Sequence, residues 1–187
     1  ARNYFGYKEN IRKLKSYIKK IEKEQTKEGL IHDNTYEYKD SHDITYHQYM
    51  LASLARGFTY SKDETIKDIL LKGAEFSLNI LTPDGEVSYV GRAANSIYHL
   101  ASAIYAFEVA KNMHKEKAGE FKRGAHLMLN YLKKWQSNKG DFPTCMNPYK
   151  KERMSWNHCS TPYNALVCYF LYRSHDESNK NIKENKI

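Results

Sequence analysis

Cysteine is scarce in this chain, with three residues among 187. An odd and small number of cysteines gives no disulfide framework, so a small disulfide-stapled scaffold is excluded. Cys145 and Cys159 fall in one predicted loop and could pair in an oxidising compartment. Cys168 falls in an apolar stretch and is predicted to lie in the core.

Long apolar runs are missing as well. No stretch reaches the roughly 20 apolar residues that a membrane-spanning helix needs, so no membrane partner is predicted. No signal peptide is visible, which leaves the compartment undetermined, with a secreted or cell-surface location open. The chain also lacks an arginine-rich arm, a helix-turn-helix, a zinc finger and an RNA-binding signature, so no nucleic-acid partner is predicted.

Positive charge and tyrosine are what the chain has in excess. The formal net charge is +8, and there are 16 tyrosines against 7 phenylalanines. A positive field favours an anionic partner, and tyrosines often line polar grooves because the ring is apolar and the hydroxyl seeks a partner. Two simpler explanations are open. The positive charge could come from lysines on solvated helix faces, and the tyrosine content from a compositional bias towards lysine and tyrosine.

Apolar residues at three- and four-residue spacing predict six helices. Three are amphipathic, and three are apolar on most sides and begin after polar loops. The predicted ranges are 7–25, 46–58, 62–81, 96–113, 116–136 and 162–172. Gly29 is predicted to end the first helix, Asp43 or Thr45 to cap the start of the second, and Ser96 to cap the start of the fourth.

The three apolar helices can be aligned on one another. Each begins with tyrosine followed by histidine or asparagine, at Tyr46, Tyr98 and Tyr163, spaced by 52 and then 65 residues. One amphipathic and one apolar helix per repeat predicts an all-α fold of three stacked helical hairpins, with the polar loops at one end. The domain is predicted to cover 1–175, with a frayed polar tail at 176–187. The alternative is an ordinary helical bundle with chance similarity.

Short sequence features add a family resemblance. The Asp84-Gly85 turn, the segment Gly91-Arg-Ala-Ala-Asn-Ser96 and the Tyr46-His47 helix start resemble those of α/α-toroid carbohydrate-active proteins, most closely the heparinase, hyaluronate and alginate lyases. Six helices correspond to about half of such a ring, so the resemblance implies a partial or incomplete α/α toroid.

The resemblance implies a lyase that cleaves an acidic, uronate-containing polysaccharide by β-elimination, without a metal or another cofactor. One group neutralises the carboxylate, a base removes the adjacent proton, and an acid protonates the leaving oxygen. The candidate catalytic residues are Arg92 and Asn95 for neutralisation, His47 and His99 as the base, and Tyr46 and Tyr98 as the acid, with Tyr89 also a candidate for the acid. The candidate substrate-binding residues are Tyr89, Trp156, Asn157 and His158.

Each candidate also has a structural alternative. Arg92 could pair with Glu86, Asn95 could be a turn residue, the histidines could be internal hydrogen-bonding groups, and the repeated tyrosines could pack the helices together. Trp156 could stack on a sugar ring or anchor its loop.

Two rival functions come from other classes. The first is an α/α-toroid glycoside hydrolase with paired carboxylates, which would use Asp84 or Glu86 with Asp33, Asp40 or Asp43. The second is a non-catalytic helical-repeat module that binds a polymer or a protein, in which Tyr89, Tyr98 and Trp156 would matter most. His32, Asp33, His42 and Asp43, like Cys145, His158 and Cys159, lack the spacing of known zinc sites, so no metal is predicted. The oligomeric state is left undetermined.

Overall fold

A computed structural model describes residues 8–33, 42–87, 89–91, 93–146 and 160–184. This part of the chain contains six α-helices and no strand, which confirms the predicted all-α fold of helical hairpins. The helices are α1 (Lys8–Glu24), α2 (Ile44–Ser61), α3 (Glu64–Ile80), α4 (Tyr98–Met113), α5 (Ala118–Lys133) and α6 (Ser160–Glu184).

Helices α2 and α3 begin at aspartate caps. The side chain of Asp43 accepts hydrogen bonds from the backbone N–H groups of Thr45 and Tyr46, and Asp63 caps α3 in the same way. These bonds satisfy N–H groups that have no partner within the helix. Of the two predicted caps of α2, the structure selects Asp43.

The predicted cap at Ser96 is wrong, because α4 begins two residues later. Ile97 occupies the cap position, and no side chain caps the helix. The backbone of Ser96 instead forms an isolated antiparallel bridge with Cys145, and the N–H of Ile97 donates to the carbonyl of Thr144 at 3.1 Å. Pairing with the third loop therefore fixes the position of this segment just before the first turn of the helix.

The predicted frayed tail is also different in the structure, because α6 continues to Glu184. The side chain of Glu177 is buried, and it pairs with Lys180 at 2.5 Å and with Arg173 at 3.9 Å. Asn112 of α4 donates to the carbonyl of Glu177 at 3.3 Å. These contacts attach the polar C-terminal part of α6 to the core. The polarity of the sequence alone does not reveal them.

The helices form two rows. The inner helices are α2, α4 and α6, and α4 lies between the other two; the outer helices are α1, α3 and α5. Helix α4 packs against α2, α3, α5 and α6, and every residue from Tyr98 to Ala110 is buried. The core is therefore built around one fully enclosed helix, which explains why its sequence is apolar on all sides.

Aromatic side chains of α2 and α6 meet in front of α4. The rings of Tyr49 and Phe170 lie 6.1 Å apart, and the Arg56 guanidinium lies 5.2 Å from the centre of the Tyr169 ring. The inner helices α2 and α6 therefore contact each other through these side chains.

A six-residue segment after each outer helix repeats with the same hydrogen bonds. We call these segments, 26–31, 82–87 and 137–142, the glycine turns; their glycines are about 55 residues apart. In each, the first residue donates its N–H to the carbonyl of the fifth at 2.8 to 2.9 Å, and the glycine donates back to the first at 2.9 to 3.1 Å. All three glycines have positive φ, from +87° to +113°, which favours glycine over other residues.

The first two glycine turns also pack closely against the next outer helix in the chain. A Cβ atom at Gly29 would lie 2.3 Å from the carbonyl oxygen of Lys72 in α3, and one at Gly85 would lie 2.3 Å from that of Leu127 in α5. Only a residue without a side chain permits this approach. A Cβ atom at Gly140 would lie 3.9 Å from the side-chain nitrogen of Gln136, its nearest neighbour among the described residues.

Two cysteine predictions meet different outcomes. Cys168 is exposed on α6, so its predicted core position is wrong; its helix buries the neighbouring Val167 instead. Cys145 is half-buried with a free thiol, whose pKa is raised by burial. Its suggested partner, Cys159, lies outside the described residues.

Candidate functional site

His47 and His99 both lie inside the molecule. Their exposed fractions are 1% and 0%. The Nδ1 atom of His47 accepts the N–H of Ile31 at 3.1 Å, and its Nε2 atom lies 3.3 Å from the carbonyl oxygen of Gly73 and 3.2 Å from the Ser77 hydroxyl. Burial lowers the pKa of His47 to about 4, so the ring is neutral at pH 7. The histidine is thus placed to connect α2 with the first glycine turn and α3.

His99 makes the corresponding connection in the second unit through Glu86. Its Nε2 atom lies 3.2 Å from a carboxylate oxygen of Glu86, and the same oxygen accepts the N–H of Val87 at 2.8 Å. The Nδ1 atom of His99 makes a short contact with the carbonyl of Ser96. Neither imidazole reaches the surface, so neither is positioned here to contact a polymer.

Asn164 takes the third place in this series. Its side-chain oxygen accepts the N–H of Phe142 at 2.8 Å, and its amide nitrogen donates to the carbonyl of Phe142 at 3.0 Å. Ile31, Val87 and Phe142 occupy the same position in their glycine turns. The residue after each repeated tyrosine therefore secures the backbone of the preceding turn.

The repeated tyrosines gather at the starts of the inner helices. The rings of Tyr98 and Tyr163 stack at 5.3 Å with an angle of 11°, and Tyr49 meets Tyr98 edge-on at 6.0 Å. We call Tyr46, Tyr49, Tyr98 and Tyr163 the tyrosine platform. Tyr46 and Tyr49 are 36% and 38% exposed, whereas Tyr98 is 8% exposed. The platform offers two accessible phenols above a packed aromatic base.

The environment keeps the Tyr98 phenol protonated. Its pKa is raised well above the ordinary value, chiefly by burial and further by the neighbouring phenols of Tyr46 and Tyr163 and the carboxylate of Asp43. A phenol of this kind stays protonated and can donate a hydrogen bond over the whole physiological pH range. Its place within the platform suits a hydrogen-bond donor.

The second polar loop is pinned against the start of α2. The Asp43 carboxylate, besides capping α2, accepts the N–H of Ala93 at 3.0 Å, and the Thr45 hydroxyl donates to the Ala93 carbonyl at 2.7 Å. Asp43 is 2% exposed, so this carboxylate is committed to the backbone. The loop therefore has a fixed position beside the platform.

Tyr89 and Asn95 lie on this loop with different surroundings. Tyr89 is 49% exposed, and its hydroxyl donates to the carbonyl of Ile80 at 3.1 Å. Asn95 has a φ of +63°, and its carbonyl accepts the N–H of Met146 at 2.7 Å. Asparagine is among the residues that tolerate this conformation, which agrees with the turn role considered for it.

Four candidates lie outside the described residues: Arg92, Trp156, Asn157 and His158. Of the carboxylates considered for a hydrolase, Asp84 is exposed, Glu86 is buried against His99, and Asp40 lies outside the described part. The roles predicted for these residues in binding or catalysis stay predictions.

Two further residues extend the site and were not among the candidates. Tyr49 lies one turn after Tyr46, and Arg56 lies two turns further along α2; Ser53 and Tyr60 complete one exposed stripe. The spacing of three or four residues along α2 was the signal that could have identified them.

The described residues show no metal site and no membrane-spanning helix. His32 and His42 approach each other with ring centres 4.9 Å apart, but no group of three potential metal ligands forms among the residues described. None of the helices in this part of the chain is long and apolar enough to cross a bilayer.

Comparison with known proteins gives no relative from which a function could be transferred. No family model, no curated protein and no solved structure matches the chain.

Proposed function

We propose that this protein binds a polysaccharide, with an acidic polymer as the preferred class, at the tyrosine platform. The observation that carries the proposal is the exposed pair Tyr46 and Tyr49 beside the stacked pair Tyr98 and Tyr163. Aromatic faces provide apolar contact area, and phenol hydroxyls provide hydrogen bonds to polar ligands. Both contribute to holding a sugar chain, and the ring faces supply most of the contact area.

The exposed stripe of α2 supports a polymer rather than a small ligand. Tyr46 and Arg56 are ten residues apart on one helix, or about 15 Å along its axis. Arg56 supplies a cation at one end of this line, held beside Tyr169. A guanidinium recognises carboxylate through paired hydrogen bonds, which favours a uronate-containing chain over a neutral one.

Binding is tested by titrating the protein with polyuronates and neutral glucans in an isothermal calorimeter. The Tyr46→Ala and Tyr49→Ala variants should each lose most of the affinity, and Arg56→Gln should weaken binding of polyuronates only. Tyr172→Ala is the matched control, since Tyr172 is an equally large ring exposed on α6. If all variants bind like the unmodified protein, the platform is not the binding site.

A second candidate function is β-elimination, in line with the family resemblance. The favouring observation is the accessible phenol of Tyr46 beside that of Tyr98, which stays protonated and can donate a hydrogen bond. In this reaction a base removes the proton adjacent to the uronate carboxylate, the C–O bond to the leaving sugar breaks, and an acid protonates the departing oxygen. His47 and His99 are too deeply buried here to serve as the base. The accessible Tyr46 would therefore take the abstracted proton as a phenolate and pass it on to the departing oxygen.

The phenol hydroxyl separates the two candidates. Tyr46→Phe retains the ring, so a binding module should keep its affinity, while a lyase should keep affinity and lose turnover. Turnover is followed by the ultraviolet absorbance of the unsaturated uronate product. Reducing-end release without that absorbance would instead identify a glycoside hydrolase, the third possibility.

A further inference from the structure

The inner helices α2 and α6 carry an arginine at the same position after the repeated tyrosine. Arg56 lies ten residues after Tyr46, and Arg173 lies ten residues after Tyr163. At a rise of about 1.5 Å per residue, both arginines lie about 15 Å beyond these tyrosines along their helices. Because side chains of α2 and α6 contact each other beyond the tyrosine platform, the two guanidinium groups lie at one level of the same surface.

Most hydrogen-bond donors of Arg173 are unused in the described part of the chain. A guanidinium has five N–H groups. One Nη atom of Arg173 donates to Asp176 at 3.4 Å, the other lies 3.9 Å from a carboxylate oxygen of Glu177, and the buried Nε has no hydrogen-bond partner. Glu177 forms its closer ion pair with Lys180, at 2.5 Å. Arg173 is therefore held only weakly by its own helix, and its side chain is 21% exposed.

The hydroxyl of Tyr105 lies next to Arg173 and also has no hydrogen bond among the described residues. Tyr105 belongs to α4 and is 0% exposed. Burial raises the pKa of this phenol, and the nearby Thr59 hydroxyl and Arg173 guanidinium partly offset the rise. The Thr59 hydroxyl donates to the carbonyl of Arg56 at 2.8 Å instead. Buried polar groups are seldom left without a partner, and a small rotation of the guanidinium would pair Nε with the Tyr105 hydroxyl.

Exposed rings and little opposing charge surround the two arginines. The Arg56 guanidinium lies 5.2 Å from the centre of the Tyr169 ring and forms no ion pair among the described residues. Tyr60, one turn after Arg56, is 64% exposed and close enough to Arg173 for an electrostatic interaction. In α4 the same repeat position is Glu108, whose carboxylate is paired with a lysine of its own helix. The surface at this level therefore carries an excess of positive charge beside aromatic rings.

We infer that Arg56 and Arg173 together bind one carboxylate of an acidic polysaccharide, at a second contact beyond the tyrosine platform. The inference rests on the polymer binding proposed above and deepens it, since the chain must extend from the platform to this pair. A guanidinium binds a carboxylate through two parallel N–H···O bonds, and two guanidinium groups on facing helices can share its two oxygens. Binding draws Arg173 away from Asp176 and lets its Nε donate to Tyr105, which is thus a positioning residue.

Calorimetric titration with a galacturonate polymer and with its fully methyl-esterified form tests the second contact, because esterification removes the carboxylate charge. Arg173→Gln should weaken binding of the acidic polymer about tenfold, as expected for the loss of one charge-assisted hydrogen bond, and leave binding of the ester unchanged. The double variant with Arg56→Gln should lose little more than either single variant, because one carboxylate needs both arginines. Arg123→Gln, which replaces an exposed arginine of α5, is the matched control.

Tyr105→Phe separates a positioning role from a structural one. This variant should weaken binding of the acidic polymer without lowering the thermal midpoint, because the hydroxyl has no hydrogen bond within the described residues to lose. A lower midpoint with unchanged affinity would make the hydroxyl structural and contradict its positioning role.

Two results would overturn the shared contact. One is an Arg173→Gln variant that binds the acidic polymer like the unmodified protein, and the other is a pair of arginine substitutions whose losses multiply, which would indicate two separate sites. If Tyr46→Ala loses affinity while Arg173→Gln does not, the tyrosine platform remains the binding site without the second contact. An unmodified protein that binds neither polymer would remove both proposals.

Discussion

His47 and Asn164 perform the same task in different units, each accepting the backbone N–H of the matching residue of a glycine turn. The distances are 3.1 Å to Ile31 and 2.8 Å to Phe142. An imidazole Nδ1 atom and an asparagine side-chain oxygen occupy similar positions relative to their backbones, so the two residues are interchangeable for this bond. Asparagine in place of histidine also removes a titratable group from this position.

We expect the stability of the protein to fall as the pH is lowered from 6.5 towards 4, through His47. In the unfolded chain this histidine takes up a proton near pH 6.5, whereas in the folded state burial delays protonation to about pH 4. The unfolded state therefore binds more protons in this window, and the cost is up to about 1.4 kcal/mol per pH unit. The contribution is fully present above pH 6.5. Urea unfolding at several pH values measures it.

The variant His47→Asn should remove this part of the pH dependence while preserving the bond to Ile31. His126→Asn is the control, since His126 is exposed on α5 and its replacement should leave the slope unchanged. An unaltered slope in His47→Asn would assign the acid sensitivity to other groups.

Alanine at Gly85 should be far more destabilising than alanine at Gly140. Both residues have positive φ, so both substitutions incur a backbone cost of about 1 kcal/mol. At Gly85 the added carbon also meets the Leu127 carbonyl, which raises the expected loss to about 3 kcal/mol or more. The difference in thermal unfolding between the two variants isolates the packing contribution, and equal losses would show that α5 does not close onto this turn.

Alanine at Asp43 should cost more than alanine at Asp63. Both remove a helix cap, worth about 1 kcal/mol. Asp43 additionally holds the N–H of Ala93, so its loss leaves a buried donor unsatisfied and brings the expected total to about 3 kcal/mol. Chemical denaturation of the two variants gives the comparison. Similar losses would mean that the second loop is held to α2 by other contacts, such as the hydroxyl of Thr45.

The later part of α6 should be protected from hydrogen exchange. Burial of Glu177 and the bond from Asn112 predict slow exchange of the amides between Tyr172 and Lys180. In Glu177→Ala the same amides should exchange faster while those of α4 are unchanged. Rapid exchange in the unmodified chain would instead agree with a frayed tail.

Helix number and order could be predicted from the sequence, because the three- and four-residue spacing of apolar residues follows directly from which faces are buried. The repeat spacing was harder to recognise. Measured between Tyr46, Tyr98 and Tyr163 it is irregular, since the third unit has extra residues between its glycine turn and α6. Measured between Gly29, Gly85 and Gly140 of the glycine turns, it is nearly constant.

The candidate site was predicted in part. The tyrosines could be found because an aromatic ring at equivalent helix starts is visible in the sequence. The buried state of His47 and His99 could not, since a histidine that binds backbone and one that meets a ligand occupy the same position in a polarity pattern. The distinction depends on whether another helix covers them, and α3 covers His47 with Gly73 and Ser77, which lie 26 and 30 residues away in the chain.

The enclosure of α4 has a consequence for synthesis on the ribosome. Helix α4 leaves the exit tunnel apolar on every side, when only α2 and α3 are available to cover it. The remaining surface of Tyr98–Ala110 stays bare until α5 and α6 have been translated. During that interval the nascent chain exposes its most apolar segment to solvent and to other chains, which is the condition under which chaperones bind and premature termination leads to aggregation.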